Sequence, residues 1–230
     1  MGRVISFAQH KGGCGKTTVA AHVVGHAVAN GRSVCVADAD HQHHLATWIE
    51  GALPDVHVER FDDEEQVLKN IRKLADGADN PDLKQPEGIC ILDLPGGDQN
   101  LMRAAMLRSD LVVIPVGPGV LDLQSLQSTL ETLELARDIR GGSAPLAVIV
   151  PTRTKRTRVS QEVIDACNEI AANMDGVLVV TGIPDRTKIA DCYAQRCFAW
   201  DLEGSSTDPA LTGPLNEVAA WILRTDGTFP

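Results

Sequence analysis

Aromatic side chains are scarce in this chain: Phe, Trp and Tyr make up 3% of 230 residues, and Tyr193 is the single tyrosine. A core short of rings has to be filled by Ala, Val, Ile and Leu, a composition that suits a parallel sheet buried under helices. Paired cysteines are missing too. Cys14, Cys35, Cys90, Cys167, Cys192 and Cys197 are scattered with no CxxC pair. That pattern argues against a disulfide framework and for reduced structural thiols, Cys35 and Cys90 lying inside apolar runs. No apolar run is long enough to cross a bilayer, and Met1-Gly2-Arg3 leads directly into a strand-like stretch with no signal-peptide pattern. A soluble, cytoplasmic protein without membrane attachment is expected. Positive charge is in deficit as well. The formal net charge of −10 argues against a uniformly basic nucleic-acid surface but leaves room for a local patch.

What is present is an alternation of short β-branched runs and amphipathic stretches, the mark of βαβ units. Strands are expected at 3–8, 33–38, 56–61, 89–93, 111–116, 146–151 and 177–181. Helices are expected at 16–30, 43–50, 63–76, 99–107, 121–140, 159–174, 187–197 and 214–224. Gly31 reads as a helix C-terminal glycine and Pro214 as a first-turn proline. Residues 76–88, with Pro81 and Pro86, read as a polar loop. Nothing repeats and no linker appears. The expected architecture is one α/β domain over residues 1–230, doubly wound, with a mostly parallel sheet flanked by helices.

Between the first strand and first helix lies Lys11-Gly12-Gly13-Cys14-Gly15-Lys16-Thr17-Thr18. Glycines there let backbone N–H groups turn inward onto phosphate oxygens without Cβ interference. The positive end of the following helix adds favourable potential. In such a P-loop Lys16 neutralises the β- and γ-phosphates of ATP, Thr17 ligates Mg²⁺ and Thr18 supports the loop. The standard pattern asks for glycine where this chain has His10. It offers instead Lys11 followed by two glycines.

That form, KGGxGKTT, resembles the deviant phosphate loop of the ParA/MinD group, and over residues 3–225 the chain is similar to a small, ParF-like ParA-type partition ATPase. The resemblance implies that Lys11 reaches across an ATP-dependent homodimer to the partner's phosphates, as a second catalytic lysine beside Lys16. The stretch Asp38-Ala39-Asp40-His41-Gln42 is similar to the family's DxDPQ, with His41 in place of proline. By that likeness Asp40 positions the attacking water and Asp38 lies near Mg²⁺. Both follow a strand end, where an open parallel sheet meets its ligand. The apolar run ending in Asp93 is a Walker B pattern, making Asp93 a magnesium carboxylate. Gly96 and Gly97 follow, and the resemblance implies that Gly96 senses the γ-phosphate within a glycine-hinged switch segment, 93–99. Pro115 and Pro118 shape a turn before a long helix. The stretch 181–186, containing Pro184 and Asp185, lies where family members contact adenine.

Arg153, Lys155, Arg156 and Arg158 form a run without an acidic residue, a candidate for contact with nucleic-acid backbone or with a partner protomer. The resemblance adds non-specific DNA binding by the ATP-bound dimer, association with the nucleoid, slow hydrolysis, and a ParB-like or adaptor partner protein that helps move a cargo. His41, His43 and His44, together with His22 and His26, read as polar surface histidines rather than a zinc site. Rivals sharing the loop fare unequally. A MinD-like membrane-cycling ATPase needs a basic amphipathic C-terminal helix, and here Arg224 is the only cation near that end. A nitrogenase-reductase-like protein needs cluster cysteines, and none lies between Asp93 and Cys167. A bacterial tyrosine kinase would carry a tyrosine-rich tail. A dethiobiotin-synthetase-like ligase leaves no signature by which to judge it.

Overall fold

The computed structural model describes residues 2–76, 88–142, 144–202 and 209–224. Seven strands form one sheet: β1 (Arg3–Phe7), β2 (Val34–Asp38), β3 (His57–Arg60), β4 (Ile89–Asp93), β5 (Leu111–Val116), β6 (Leu146–Pro151) and β7 (Val177–Val179). Their order across the sheet is β3-β2-β4-β1-β5-β6-β7, and every neighbouring pair runs parallel. The described helices are α1 (Lys16–Ala29), α2 (His44–Ala52), α3 (Glu64–Ala75), α4 (Gln99–Met106), α5 (Val120–Arg140), α6 (Arg158–Ala172), α7 (Thr187–Gln195) and α8 (Pro209–Ile222).

Period-two side-chain direction divides the core into two apolar layers. Ile5, Phe7, Val34 and Val36 face one layer, filled from α1, α2 and α8. Val4, Ala8, Cys35 and Ala37 face the other, filled from α3, α4, α5 and α6. Each layer is assembled from aliphatic side chains that are almost entirely buried, and each fully buried Val, Leu or Ile contributes roughly 1.5–3 kcal/mol relative to exposure. Four of the rare aromatics gather in one place, where Trp48, Phe198 and Trp200 surround His22 and Tyr193 packs against Trp48 and His44.

Strand β1 is central, with β4 on one side and β5 on the other, so chain connections leave it in opposite directions. The crevice beyond the carboxyl end of β1 is therefore the topological switch point of a doubly wound sheet. The element order agrees with the sequence expectation, and the boundaries differ by small margins at the edges. The largest difference is α8. It begins at Pro209, five residues before Pro214, so Pro214 lies inside the helix and not in its first turn. Pro214 cannot donate to the carbonyl four residues earlier. The helix nevertheless continues because Leu215, Val218, Ala219 and Ile222 seal one layer against α1. Most of the loop expected at 76–88 lies outside the described residues.

Candidate active site

The P-loop occupies the switch point between β1 and α1. Gly13 (φ +71°) and Gly15 (φ +100°) adopt the left-handed backbone that glycine reaches without Cβ strain. Gly15 caps α1 without a side chain, and no acid sits in the first helical turn. The first amides of α1 are thus left to an external anion. Lys16 is buried, and its Nζ stands 3.4 Å from the Gln9 carbonyl and 3.5 Å from that of Lys11. These long contacts hold the ammonium over the mouth of the cradle, where a phosphate oxygen is the stronger partner.

Five polar contacts, made by Gln9, His10 and Thr152, fix the loop from behind, and sequence reasoning named none of them. Gln9 is fully buried. Its Oε1 accepts from the hydroxyls of Ser125 (2.7 Å) and Thr129 (2.8 Å) on α5. Thr129 Oγ1 also accepts from the His10 backbone N–H at 3.3 Å. The His10 ring meets Thr132 at 3.4 Å, so the residue that replaces the usual glycine serves as a tie to α5. On the other flank Thr152, just after β6, donates its hydroxyl to the Cys14 carbonyl at 2.6 Å. A polar Gln just beyond the first strand was the available signal for the first contact. The others depend on residues more than a hundred positions away.

Asp38 and Asp93 are register partners at the carboxyl ends of β2 and β4, which brings two buried carboxylates side by side. Asp38 is spoken for: its oxygens accept from the backbone N–H of Asp40 (3.0 Å) and of Ala46 (2.9 Å). Burial raises its pKa, and those two hydrogen bonds oppose the rise. Asp93 Oδ2 accepts from the Thr17 hydroxyl at 2.6 Å, while Oδ1 is buried with no hydrogen-bond partner. Burial, followed by the nearby Asp38 charge, pushes the Asp93 pKa up to about 7; the Thr17 bond and Lys16 pull the other way.

A divalent cation fits this donor set. Thr17 and Asp93 are hard oxygen donors next to an unpaired buried oxygen, and a bound cation would favour the ionised carboxylate. No group of three His, Cys, Asp or Glu gathers as a metal site among the described residues. Magnesium takes one or two carboxylates and fills its remaining positions from phosphates and water. When bound, Mg²⁺ supplies charge neutralisation at the transferring phosphate.

Asp40 is half-buried on the turn leading to α2. It accepts from the Gln42 backbone N–H at 3.0 Å through Oδ1, and its carbonyl accepts from the His43 N–H at 2.8 Å. Gly96 lies directly against the P-loop. A Cβ there would stand 3.0 Å from the Gly12 nitrogen and 3.2 Å from the His10 oxygen, which is the physical reason for glycine at this position. A cavity of about 180 Å³ opens beside the loop, lined among others by Gly15, Thr18, Thr152, Ile183, Pro184 and Asp185. Pro184 and Asp185 therefore share a cleft with the phosphate cradle, its walls partly apolar as a base requires.

The remaining site residues separate. Lys11 does not enter the cradle: its Nζ lies 2.9 Å from Asp122 Oδ1 on α5, an ion pair without hydrogen-bond geometry. Of the basic run, Arg153 lines the cavity beside the P-loop. Lys155 pairs with Asp185 at 3.0 Å and Arg158 with Glu162 at 2.7 Å. Lys155, Arg156 and Arg186 line a neighbouring recess of about 790 Å³. The histidine reading needs one correction. His22 is 1% exposed, not a surface residue. Its Nδ1–H donates to the Thr18 carbonyl (2.7 Å) and its Nε2 accepts from the Ala199 N–H (3.1 Å). Those two partners fix a neutral ring, and burial lowers its pKa to about 4. Its helical spacing from His26 gave no hint of this, because the aromatic cluster enclosing His22 comes from α2 and the segment after α7.

Comparison with known proteins agrees with this geometry. The family described as the CobQ/CobB/MinD/ParA nucleotide binding domain matches residues 5–196. Maintenance of carboxysome distribution protein A of Halothiobacillus neapolitanus is 30% identical over 165 residues, 70% of this chain and 73% of that protein. Apo McdA of Cyanothece has a similar structure, with a TM-score of 0.73 at 17% identity, covering 97% of this chain and all of that one. A variant of McdA has been solved in complex with ATP (TM-score 0.70, 18% identity, 96% and 95% coverage). Cobyrinic acid a,c-diamide synthase of Mycobacterium smegmatis, solved with an ATP analogue and magnesium, is more distant (TM-score 0.60, 20% identity, 85% and 92% coverage). The chain belongs to the CobQ/CobB/MinD/ParA nucleotide-binding family, among its ParA/MinD-type ATPases.

Proposed function

We propose that this protein is a ParA-type positioning ATPase in which ATP·Mg²⁺ joins two copies face to face and slow hydrolysis releases them. The observation that carries this reading is the placement of Lys11. The loop contains two lysines; Lys16 faces its own cradle, whereas Lys11 is 36% exposed at the rim and turned away onto Asp122. A cation so placed serves a phosphate outside its own chain. Beside it, Val120 and Leu121 begin α5 with 65% and 67% of their surface exposed, apolar area that a second copy would cover. In the dimer, Lys11 of each copy neutralises the mate's terminal phosphate, Lys16 holds the β- and γ-phosphates, Thr17 and Asp93 hold Mg²⁺, with Asp38 beside them, and Asp40 orients the attacking water. Gly96, pressed on Gly12, reports the γ-phosphate to the switch segment. Pro184 and Asp185 border the adenine.

The dimer is further proposed to bind DNA without sequence preference through the run from Arg153 to Arg158, and to work with a ParB-like or adaptor protein on a cargo. Exposed ion pairs such as Arg158 with Glu162 are worth at most about 1 kcal/mol, so they yield readily to phosphate. Arg156 and Arg186, flanking one recess, would carry most of the contact. Analytical ultracentrifugation with ATP·Mg²⁺ against ADP, followed by DNA retention at low salt, tests the whole reading. Association and retention with ATP alone are expected, and both should fall with rising salt. A protein that stays monomeric and passes DNA with either nucleotide has another function. Retention unchanged by the double variant Arg156→Glu, Arg158→Glu would move the DNA contact elsewhere.

A further inference from the structure

Asp122 is surrounded by more positive charge than the Lys11 ion pair alone provides. Its side chain is 5% exposed, Oδ2 accepts from the Gly119 N–H at 3.1 Å, and Oδ1 has no hydrogen bond. Gly117, in the turn before α5, leaves a gap at this oxygen. A Cβ there would stand 2.7 Å from Arg153 Nη2 and 2.8 Å from Asp122 Oδ1. The guanidinium and the carboxylate therefore lie within about 6 Å, the range over which opposite charges couple. Arg153 also holds a left-handed backbone (φ +50°), unusual for a residue with a Cβ. Its neighbour Thr154 is pinned by a bond from its N–H to the Ile183 carbonyl at 3.0 Å and by a bridge to Pro184. The loop is thus fixed so that the guanidinium points over Gly117.

Removing Lys11 from Asp122 strips a buried carboxylate of its cation, an unfavourable step unless another cation replaces it. We propose that Arg153 is a positioning residue that takes over Asp122 Oδ1 when Lys11 leaves, making departure of Lys11 an exchange of partners. The proposal rests on the reading that Lys11 leaves for the phosphates of a second copy. It gives Arg153, the first residue of the proposed DNA-binding run, a part in the switch, and it gives Gly117 a role: any side chain there would occupy the gap that the two groups share.

The test is a double-mutant cycle on Asp122→Asn and Arg153→Gln, measured by chemical denaturation of the nucleotide-free protein in two backgrounds. Asparagine at 122 can still accept the Gly119 N–H, so the cycle reports charge. With Lys11 in place, coupling between positions 122 and 153 is weak. In the Lys11→Ala background it strengthens, corresponding to about a tenfold larger coupling constant. Equal coupling in both backgrounds, or none in either, overturns the proposal whether or not the protein dimerises. Self-association with ATP·Mg²⁺ gives a second reading. Arg153→Gln should weaken it about tenfold, Arg153→Lys less, and Asp122→Asn added to Arg153→Gln should restore it. A loss that persists beside Asp122→Asn marks direct contact of Arg153 with nucleotide or DNA and overturns the exchange. Should the wild type fail to associate while the denaturation cycle behaves as expected, the dimer reading falls and the counter-ion exchange stands.

Discussion

Acidification below pH 7 should draw a destabilising contribution from His22, opposed in the same range by Asp93, whose raised pKa makes the folded state take up a proton. The neutral ring is held by two opposed hydrogen bonds, Nδ1–H to the Thr18 carbonyl and Ala199 N–H to Nε2. Protonation of Nε2 abolishes the second bond and places a charge among Trp48, Phe198 and Trp200. The folded pKa is lowered from an ordinary 6.5 to about 4. Because the folded pKa is depressed, the unfolded chain binds more protons at this group between those values, and its contribution to stability falls as pH falls through that window. The contribution is complete above pH 6.5 and exhausted below about pH 4. Linkage puts the loss between pH 7 and pH 5 at about 2 kcal/mol, and the full difference at about 3 kcal/mol.

The assay compares urea unfolding of the wild type and His22→Phe across pH 5–7.5. The variant keeps an aromatic ring in the cluster and cannot titrate. It should be less stable at neutral pH, by roughly 1–3 kcal/mol, because the Ala199 N–H loses its acceptor. Between pH 7 and pH 5 it should lose about 2 kcal/mol less stability than the wild type, since subtracting the two curves removes every other titrating group. If the curves run parallel within about 0.5 kcal/mol, His22 is not held neutral by these contacts and the argument from burial fails.

Other residues of the site give separate outcomes. Thr152→Val removes the hydroxyl on the Cys14 carbonyl while preserving shape, and should cost about 1–3 kcal/mol in denaturant and weaken ATP binding measured by calorimetry. Gly96→Ala forces backbone atoms of Gly12 and His10 apart, so ATP turnover should fall about tenfold or more, while exposure of residue 96 keeps the loss of stability near 1 kcal/mol. Lys16→Ala should abolish ATP binding in the same calorimeter; retained affinity would mean that the cradle lies elsewhere. Asp40→Ala should bind ATP normally and hydrolyse it about a hundredfold more slowly, the associated form persisting in ultracentrifugation. Normal turnover by that variant would reassign the water-positioning role.

The cradle was legible in the sequence because its parts are adjacent: glycines 12, 13 and 15, Lys16 and Thr17 form one uninterrupted stretch between a strand and a helix. Asp38 and Asp93 were legible as ends of apolar runs, and parallel pairing of β2 with β4 then places them side by side. Arg153 was read with its basic neighbours, yet a left-handed turn aims it into the cleft. Pro214 looked like a helix start, but packing against α1 extends the helix through it. His22 lies on a largely apolar helix, but the rings that enclose it come from α2 and the segment after α7, far along the chain.

Fold class, phosphate loop and strand-end carboxylates were determined by the sequence itself, because hydrophobic period, glycine conformation and turn chemistry act over a few residues. The tertiary structure decided everything that needs distant residues to meet. Lys11 meets Asp122, Thr152 meets Cys14, and Gln9 meets Thr129 only after α5 packs on the sheet and β5 and β6 align on one side of β1. Such contacts follow from the packing of distant elements, which brings groups together regardless of their separation along the chain and makes a polar atom or charge left unpaired costly once it is covered.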